Sequence, residues 1–287
     1  MKARLVSEHP SQLPVRRKCE IAELPRSSYY AAVNRPESRR QRRNRYLLVL
    51  IREEYEKSDR TYGSRRIHAE LRRRGMCWGL NRIARLMQRY GVVAVQHRKY
   101  RPTTDSAHEF ALSPNLLKRD FKVGRLDRVW VADITYIPTD EGWLYLATEL
   151  DLCSHRVVGW ALSSRLDRQL VLAALAMAVG RRCPMPGLIH HSDRGVQYAC
   201  REFRRALKRR GVLSSMSRKG DPYDNAVAES FFRTLKVELV YRRRFRTRAE
   251  TRAEIVSYIE LFYNSRRLHS SLGYRSPNEF EKQAAAA

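Results

Sequence analysis

Cysteine is scarce in this chain and follows no pattern. The five cysteines are an odd number, lie far apart and include no CxxC pair. This argues against a disulfide framework and a structural zinc site, since both need cysteines that are paired or closely spaced. We interpret them as reduced, mostly buried thiols of a cytosolic protein. They are Cys19, Cys77, Cys153, Cys183 and Cys200.

Long apolar runs are also lacking. The longest, residues 170–179, is shorter than the roughly 20 residues needed to cross a bilayer, and Arg168 and Arg181 flank it. The first six residues are followed by polar residues and Pro10, which is not typical of a secretory signal. The sequence therefore predicts a cytoplasmic protein without a membrane partner.

Acidic side chains are outnumbered. The chain has 57 basic residues, 47 of them arginine, against 30 acidic ones, a formal net charge of +27. Residues 1–100 alone carry 25 basic and 9 acidic side chains. Such a surface repels itself unless a polyanion is bound, and nucleic acid is the first candidate. An anionic membrane is the alternative, but it needs a basic amphipathic helix with a strongly apolar face.

Three of the few acids lie at the edges of apolar segments. Asp133 interrupts the strand-like run 129–137, Asp193 ends the run 188–193, and Glu229 lies in a segment of helical spacing. Three carboxylates are available: one on a strand, one at a strand end and one on a helix. Such a set can bind hard divalent cations next to a phosphodiester. We therefore predict that these three acids hold Mg²⁺ or Mn²⁺, as two ions.

Each acid also has a simpler interpretation. Asp133 could form a salt bridge with an arginine, Asp193 could be a turn residue, and Glu229 could be a solvated helix charge. Asp221 and Asp224 precede the same helix and are the strongest alternatives to Glu229 as the third ligand.

Residues near the acids are candidates for contacts with the nucleic acid. Lys236 follows Glu229 by two helical turns on one face, although a generic exposed lysine is the alternative. His191 is a candidate phosphate or water contact, and Arg194 and Tyr198 could bind the nucleic acid. His190 and His191 form a pair, but no further ligands appear at zinc spacing.

The second half of the chain predicts an α/β domain at residues 126–246. Three apolar segments with short turns suggest an antiparallel meander, and alternating helices and strands follow it. This order gives a mixed sheet covered by helices on both faces. A C-terminal helix and tail take up residues 247–287.

Residues 46–95 predict a helix-turn-helix domain. Helical patterns occur at 46–57, 64–74 and 82–90, with Asn81 as N-cap of the third, and a short glycine-bearing turn joins the last two. A small bundle with a solvated basic face is the alternative. Arginines of the second and third helices are candidate DNA contacts: Arg65, Arg66, Arg82, Arg85 and Arg89.

Two segments flank this domain. Residues 1–45 are basic and broken by prolines, with short helical pieces at 16–23 and 39–45 as candidates. We expect this segment to wrap a partner or to be mobile alone. Residues 96–125 resemble a linker, either lying along phosphates or merely solvated.

The chain resembles the catalytic, second-frame proteins of bacterial insertion-sequence transposases, which are related to retroviral integrases. The resemblance covers most of residues 15–280. Five motifs carry it: WVADITY (130–136), HSDRGVQY (191–198), YDNAVAESFFRTLK (223–236), YGSRRIH (62–68) and YNSRRLH with LGY (263–274).

This resemblance implies a ribonuclease-H-like catalytic domain, a divalent-metal cofactor and DNA strand transfer, with Asp133, Asp193 and Glu229 as metal ligands. It also implies transposon ends and target DNA as partners, a homo-oligomer on DNA, and a place on the bacterial nucleoid. A non-catalytic DNA-binding regulator and a hydrolytic nuclease of the same fold are the alternative functions.

The chain departs from the family pattern in one respect. The family enzyme is often a frameshift fusion whose upstream frame carries another helix-turn-helix and a leucine zipper. The sequence shows neither a heptad stretch nor that extra module. We therefore expect either a second-frame product that joins an upstream-frame protein or a member that acts without one.

Overall fold

The computed structural model of the protein describes residues 2–10, 12–95, 113–118, 120–121, 123–218 and 225–286. Most of the predicted linker 96–125 lies outside these ranges. So do Asp221 and Asp224, the two alternatives to Glu229 as the third ligand.

The described residues form twelve α-helices and five strands, which we number in chain order. The helices of the first third are α1 (Lys2–Glu8), α2 (Val15–Ile21), α3 (Arg26–Val33), α4 (Arg39–Lys57), α5 (Ser64–Arg73) and α6 (Leu80–Arg89). The strands are β1 (Val129–Thr139), β2 (Gly142–Asp151), β3 (Val157–Ser163), β4 (Ile189–Ser192) and β5 (Leu213–Met216). The later helices are α7 (Arg168–Arg182), α8 (Val196–Ala199), α9 (Arg201–Lys208), α10 (Ala226–Glu238), α11 (Arg248–Ser257) and α12 (Pro277–Ala286). A π-helical turn, Tyr258–Tyr263, continues α11, and no described helix is long and apolar enough to cross a membrane.

The five strands form one mixed sheet in the order β3-β2-β1-β4-β5. β1, β2 and β3 are an antiparallel meander, because their connections are too short to return a strand in the same direction. β4 pairs parallel with β1 and β5 pairs parallel with β4, with helices as the crossovers. The prediction of a ribonuclease-H-like mixed sheet is confirmed.

Alternate residues of β1 supply the cores on the two sides of the sheet. Val129, Val131 and Ile137 pack in the cluster that also holds residues of α10 and α11. Trp130 and Ala132 pack in the opposite cluster with residues of α7, α8 and α9. Helices therefore cover both faces, as the sequence predicted.

The contact between β3 and α7 depends on Gly159. A Cβ built at this position would lie 2.6 Å from Cβ of Ala178 and would press on the carbonyl oxygen of Ala174. A residue without a side chain lets α7 lie this close to the sheet.

The amino-terminal all-α domain is also confirmed. α4, α5 and α6 pack around a buried cluster, and a turn of six residues joins α5 to α6. The predicted N-cap of α6 is wrong by two residues. Gly79 caps the helix instead of Asn81, because the amide of Ile83 already donates to the Gly79 carbonyl oxygen at 3.2 Å.

The predicted boundary between residues 45 and 46 falls inside α4. The helix begins at Arg39 because Ser38 and Gln41 form a capping box, in which each side chain binds the backbone N–H of the other. The residues before Ser38 form α1, α2 and α3; α2 corresponds to the helical piece expected at 16–23, whereas α1 and α3 were not expected.

The predicted boundary between residues 246 and 247 is not a boundary in the packing. Ile255 and Ile259 are fully buried in the same cluster as Phe231 and Leu235 of α10. The carboxyl-terminal helix therefore belongs to the α/β domain.

The segment after the π-helical turn joins the two domains. Leu268 is buried in the core of the helical domain, where its amide donates to Oη of Tyr62 at 2.9 Å. Its neighbour Arg267 donates two hydrogen bonds, at 2.9 and 2.8 Å, to Glu238 at the end of α10. Two adjacent residues thus bind different domains.

His269 is neutral in this junction. Burial, followed by the charge of Arg267, lowers the pKa of His269 to about 2. Nη1 of Arg267 lies 3.4 Å from Nε2 of His269, which suits a neutral imidazole that accepts at this atom. The imidazole also packs edge-on against the ring of Tyr263.

Gly159→Ala should lower the free energy of unfolding by about 1–3 kcal/mol, because α7 must shift away from the sheet. The control is Gly180→Ala in α7, where an added Cβ meets nothing within 4 Å. The control should be neutral or stabilise by up to about 1 kcal/mol through helix propensity. Urea unfolding of both variants measures this, and equal losses would contradict the close-contact explanation.

His269→Gln should flatten the pH dependence of stability between about pH 6 and pH 4. The unfolded histidine binds a proton near its usual pKa of about 6.5, whereas the folded one does not until about pH 2. Stability therefore falls as the pH drops through this window, by about 1.4 kcal/mol per unit for one proton. Urea unfolding at several pH values measures the slope, and parallel slopes for variant and wild type would show that His269 does not contribute.

Candidate active site

Asp133 lies in the middle of β1, the central strand of the sheet. It is opposite Thr148 of β2, and its side chain is only partly accessible. Its Oδ1 accepts a hydrogen bond from the amide of Ile134 at 2.7 Å. The strand thus presents one carboxylate from an otherwise apolar run.

Asp193 comes directly after β4, which runs beside β1. Val131 of β1 is opposite His191 of β4, and the same register continued by two residues sets Asp193 beside Asp133. Oδ1 of Asp193 accepts from the amide of Gly195 at 2.9 Å. A Cβ at Gly195 would lie 3.0 Å from that oxygen, so glycine leaves room for this tight turn.

Glu229 lies in the first turn of α10, which packs against β1. The helix is tied to the strand by Asn225, whose buried amide donates to the carbonyl oxygen of Ala132 at 3.1 Å. Glu229 is exposed at the surface, yet partial desolvation raises the pKa of its carboxyl. Asn225 therefore ties the start of α10 to Ala132, the residue before Asp133.

A cleft of about 490 Å³ lies between β1 and α10. Asp133 and Glu229 line it together with Arg233 and Lys236. Lys236 is buried, which lowers the pKa of its amine, while the charge of Asp133 acts in the opposite direction. The cleft therefore combines two acids with two basic side chains.

The three acids are electrostatic neighbours. Burial raises the pKa of Asp133 well above its usual value, and the charges of Asp193 and Glu229 raise it further. Among the described residues, however, no group of three or more His, Cys, Asp or Glu side chains is gathered closely enough to hold a metal ion. The donor atoms are all carboxylate oxygens, the type that Mg²⁺ and Mn²⁺ prefer.

His191 and Tyr198 do not lie where the sequence placed them. His191 is fully buried, with Nδ1 2.8 Å from Oγ of Ser215 and Nε2 3.3 Å from Oγ of Ser217. Tyr198 is 2% exposed and packs edge-on against Phe203. Neither side chain reaches the surface, so the predicted DNA contact of each is corrected to a structural role.

A buried pair beneath the site escaped the sequence analysis. Nε2 of His190 lies 2.9 Å from Oε2 of Glu149, and both side chains are inaccessible. His190 thus has a structural role, bound to Glu149. Glu149 follows an apolar segment of β2, and only the sheet register could have shown that it meets His190.

Aromatic side chains beside the acids were also missed. Tyr136 is 39% exposed and packs edge-on against Trp143, which is 53% exposed. Burial and Tyr145 raise the pKa of the Tyr136 phenol, and the charges of Asp133 and Asp193 add to the shift.

Arg194 lies in the turn after Asp193. Its Nε donates to the carbonyl oxygen of Ser217 at 2.7 Å, and its side chain is partly buried. The guanidinium therefore braces the loop that follows β5.

Two of the five predicted DNA-binding arginines are partly buried and bind other segments of the chain. Arg66 donates to the carbonyl oxygen of Leu268 at 3.0 Å, in the junction between the domains. Arg82 donates to Oδ1 of Asn44 at 2.7 and 3.0 Å and lies over the ring of Trp78. The other three are exposed on the helical domain: Arg65, Arg85 and Arg89.

Family models match most of the chain. Two with the description "Integrase core domain" match residues 125–222 and 210–277, and one with the description "HTH-like domain" matches residues 41–100. These ranges correspond to the α/β domain and to the bundle of α4, α5 and α6.

The chain is also similar to named proteins over its full length. It is 42% identical over 265 residues to the "Insertion element IS600 uncharacterized 31 kDa protein" of Shigella sonnei, covering 92% of this chain and 97% of that protein. It is 38% identical to "Transposase InsF for insertion sequence IS3A" of Escherichia coli (strain K12), covering 100% of both. A similarity of 41% extends to "Transposase for insertion sequence element IS904" of Lactococcus lactis, covering 87% of this chain and 99% of that protein.

Among solved structures, the catalytic core domain of BIV integrase covers 56% of this chain, at 18% identity and a TM-score of 0.42. The assignment depends instead on the full-length relatives and on the three family matches. On these grounds the chain belongs to the insertion-sequence transposases, with an integrase core domain and an HTH-like domain.

Proposed function

We propose that this transposase binds the ends of its element, cuts a DNA strand there and joins the freed 3′-hydroxyl to a target phosphodiester. The observation that carries the proposal is the cleft between β1 and α10, which Asp133 and Glu229 line together with Arg233 and Lys236, in a chain of net charge +27. Like charges held together in a basic protein indicate a site for cations next to a polyanion.

Asp133, Asp193 and Glu229 would hold the metal, which we propose to be two Mg²⁺ or Mn²⁺ ions. Such ions would activate the attacking oxygen and stabilise the leaving oxygen of the phosphodiester. Glu229 lines the cleft but is exposed, so its side chain would turn towards Asp133 to complete the ligand set.

The cleft residues have roles that follow from their positions. Lys236 is buried near Asp133, and its positive charge favours a phosphate oxygen at the same place. Arg233 lines the same cleft and can neutralise the adjoining phosphate. Asn225 positions α10 by its hydrogen bond to β1 and does not itself contact substrate.

DNA binding by the helical domain is proposed for the arginines that remain exposed, Arg65, Arg85 and Arg89. Arg194 is proposed to contact DNA from the turn beside Asp193. Two ends must be processed together, so we propose a homo-oligomer on DNA, with an upstream-frame protein as a further possible partner.

Asp133→Asn should lower metal-dependent strand joining by at least about 10²-fold, because an isosteric amide removes the charge that holds the cation. Affinity for DNA should stay nearly unchanged. The measurement is joining of a labelled 3′-hydroxyl end to a plasmid, read as branched products. The matched control is Asp140→Asn at the tip of the β1–β2 hairpin, where the carboxylate pairs with Arg244 at the surface.

The same assay separates the rival functions. Wild-type protein that binds DNA but neither cuts nor joins it would favour a non-catalytic regulator. Cut ends without branched products would favour a hydrolytic nuclease. Full activity of Asp133→Asn would show that the site is assigned wrongly.

Asp133→Asn should also raise the free energy of unfolding by about 1 kcal/mol at pH 7 without divalent metal, a common size for stabilising changes. Folding raises the pKa of Asp133, so ionisation above the unfolded value of about 3.9 costs stability.

Mg²⁺ should then raise the unfolding temperature of the wild type but not that of the variant, because only the wild type binds it at this site. Thermal unfolding with and without Mg²⁺ measures both effects. An equal response of both proteins to Mg²⁺ would place the metal elsewhere.

A further inference from the structure

α1, α2 and α3 form a folded unit that none of the three family matches covers, since the HTH-like match begins at residue 41. α1, α2 and α3 each contact the other two. They share a small core to which Val6, Cys19 and Tyr29 contribute one buried side chain each. We call residues 2–33 the amino-terminal unit.

The turn between α2 and α3 is short and is held by two backbone hydrogen bonds. It comprises residues 22–25, with Glu23 in the left-handed region at φ 49°. The amide of Leu24 donates to the carbonyl oxygen of Cys19 at 2.9 Å, and that of Glu23 donates to Glu20 at 3.0 Å. These two bonds form a Schellman motif, and Pro25 then begins α3. Two helices joined by a four-residue turn match a helix-turn-helix.

α3 has the surface of a recognition helix. Its first turn exposes Arg26, Ser27 and Ser28, and Tyr29 is its one buried residue. No acid lies in this helix. In helix-turn-helix proteins the amino-terminal residues of the second helix contact base edges, and arginine and serine are suitable donors.

The acids of the amino-terminal unit are compensated within it. Glu8 pairs with Arg4 at 2.8 Å, Glu20 pairs with both Arg16 and Arg17 at 3.2 and 3.0 Å, and Glu23 in the turn lies 3.8 Å from Lys2. These pairs lie on α1, on α2, and between α1 and the turn. Among the described residues none of these acids pairs with Arg26, so its positive charge remains at the start of α3.

α4 continues this charge on the carboxyl-terminal side of the unit. Arg39, Arg40, Arg42 and Arg43 are exposed in its first two turns, and no acid lies in the first turn. Like charges three and four residues apart repel each other, and cations are unfavourable at the amino terminus of a helix. The neutral capping box of Ser38 starts the helix in spite of this cost. A row of phosphates would remove the cost.

We propose that the amino-terminal unit is a second helix-turn-helix that binds duplex DNA. α3 enters the major groove with Arg26, Ser27 and Ser28 at base edges, while the four arginines of α4 bind phosphates beside it. The inference rests on the proposed function, because the duplex it binds is the end of the element.

The alternative partner for the surface of the amino-terminal unit is another protein chain. Leu5, Ile21 and Val33 are exposed apolar residues of the unit, at 61%, 67% and 51%. They lie on three different helices, however, and the polar start of α3 together with the arginines of α4 favours a polyanion. A protein partner is therefore an outcome of the test.

The test measures equilibrium binding of the full chain in EDTA, so that it does not depend on the acidic site. The probes are a duplex from the end of the element and a scrambled duplex of equal composition. Arg26→Ala/Ser27→Ala/Ser28→Ala should weaken binding to the end duplex at least about tenfold and leave the scrambled duplex nearly unaffected.

A second variant changes Arg39, Arg40, Arg42 and Arg43 to glutamine. It should weaken binding to both duplexes and reduce the slope of log affinity against log salt by about 3–4, near 0.9 for each lost phosphate contact. The control removes the same charge from the exposed side of α9, by glutamine at Arg201, Arg205, Lys208 and Arg209. Its slope should stay close to that of the wild type.

The proposal is overturned if both variants bind like the wild type, or if the α9 control loses as much slope as the α4 variant. It is also overturned if the α3 variant keeps its DNA affinity but changes oligomeric state in solution. Circular dichroism of each variant confirms that it is folded. Since Asp133→Asn is tested by strand joining and these variants by metal-free binding, either hypothesis can fail without the other.

Discussion

The parallel pairing of β1 with β4 is the constraint on which the site depends. It sets Asp193 at the end of one strand beside Asp133 in the middle of its neighbour. Two carboxylates so placed repel each other, and burial of Asp133 strengthens the repulsion. The apolar cores on both faces of the sheet hold the strands in this register against that repulsion. An electrostatically unfavourable site on a rigid scaffold is what binding of a multivalent cation requires.

α10 connects this site to the rest of the molecule. Its first turn carries Glu229, its last turn carries Lys236 in the cleft, and its last residue is Glu238. Glu238 is buried and bound by Arg267, and the next residue along the chain, Leu268, lies in the core of the helical domain. Removing one partner of a buried pair leaves an uncompensated charge, so this contact keeps α10 and the HTH-like domain in a fixed relation. The helix that carries Glu229 is therefore joined to the HTH-like domain through residues 267 and 268.

The sequence predicted the parts of the fold that depend on local patterns. The apolar runs of β1 to β5 and the spacing of α10 were enough to expect a mixed sheet with helices on both faces, and the three acids stood out against apolar neighbours. The start of α4 was expected only as a separate helical piece at 39–45, because a run of arginines hides its continuity with the apolar stripe that follows. α1 and α3 were missed because the core of the amino-terminal unit is only three residues, Val6, Cys19 and Tyr29, too few to make a clear periodicity.

Local sequence patterns could not predict the contacts between segments that lie far apart in the chain. Burial of His191 and Tyr198 depends on β5 and α9 packing over them, and the structural roles of Arg66 and Arg82 depend on Leu268 and Asn44. A polar residue in a basic motif looks the same whether its partner is DNA or the protein itself, and only the packing separates the two.

The most direct test of the central claim is the anomalous scattering of Mn²⁺ in crystals of the protein with a DNA end. The account predicts a peak bound by both Asp133 and Asp193, and Glu229 turned into the cleft towards a second peak near Lys236. Mn²⁺ bound at other residues, with Asp133 and Asp193 sharing no ion, would contradict it.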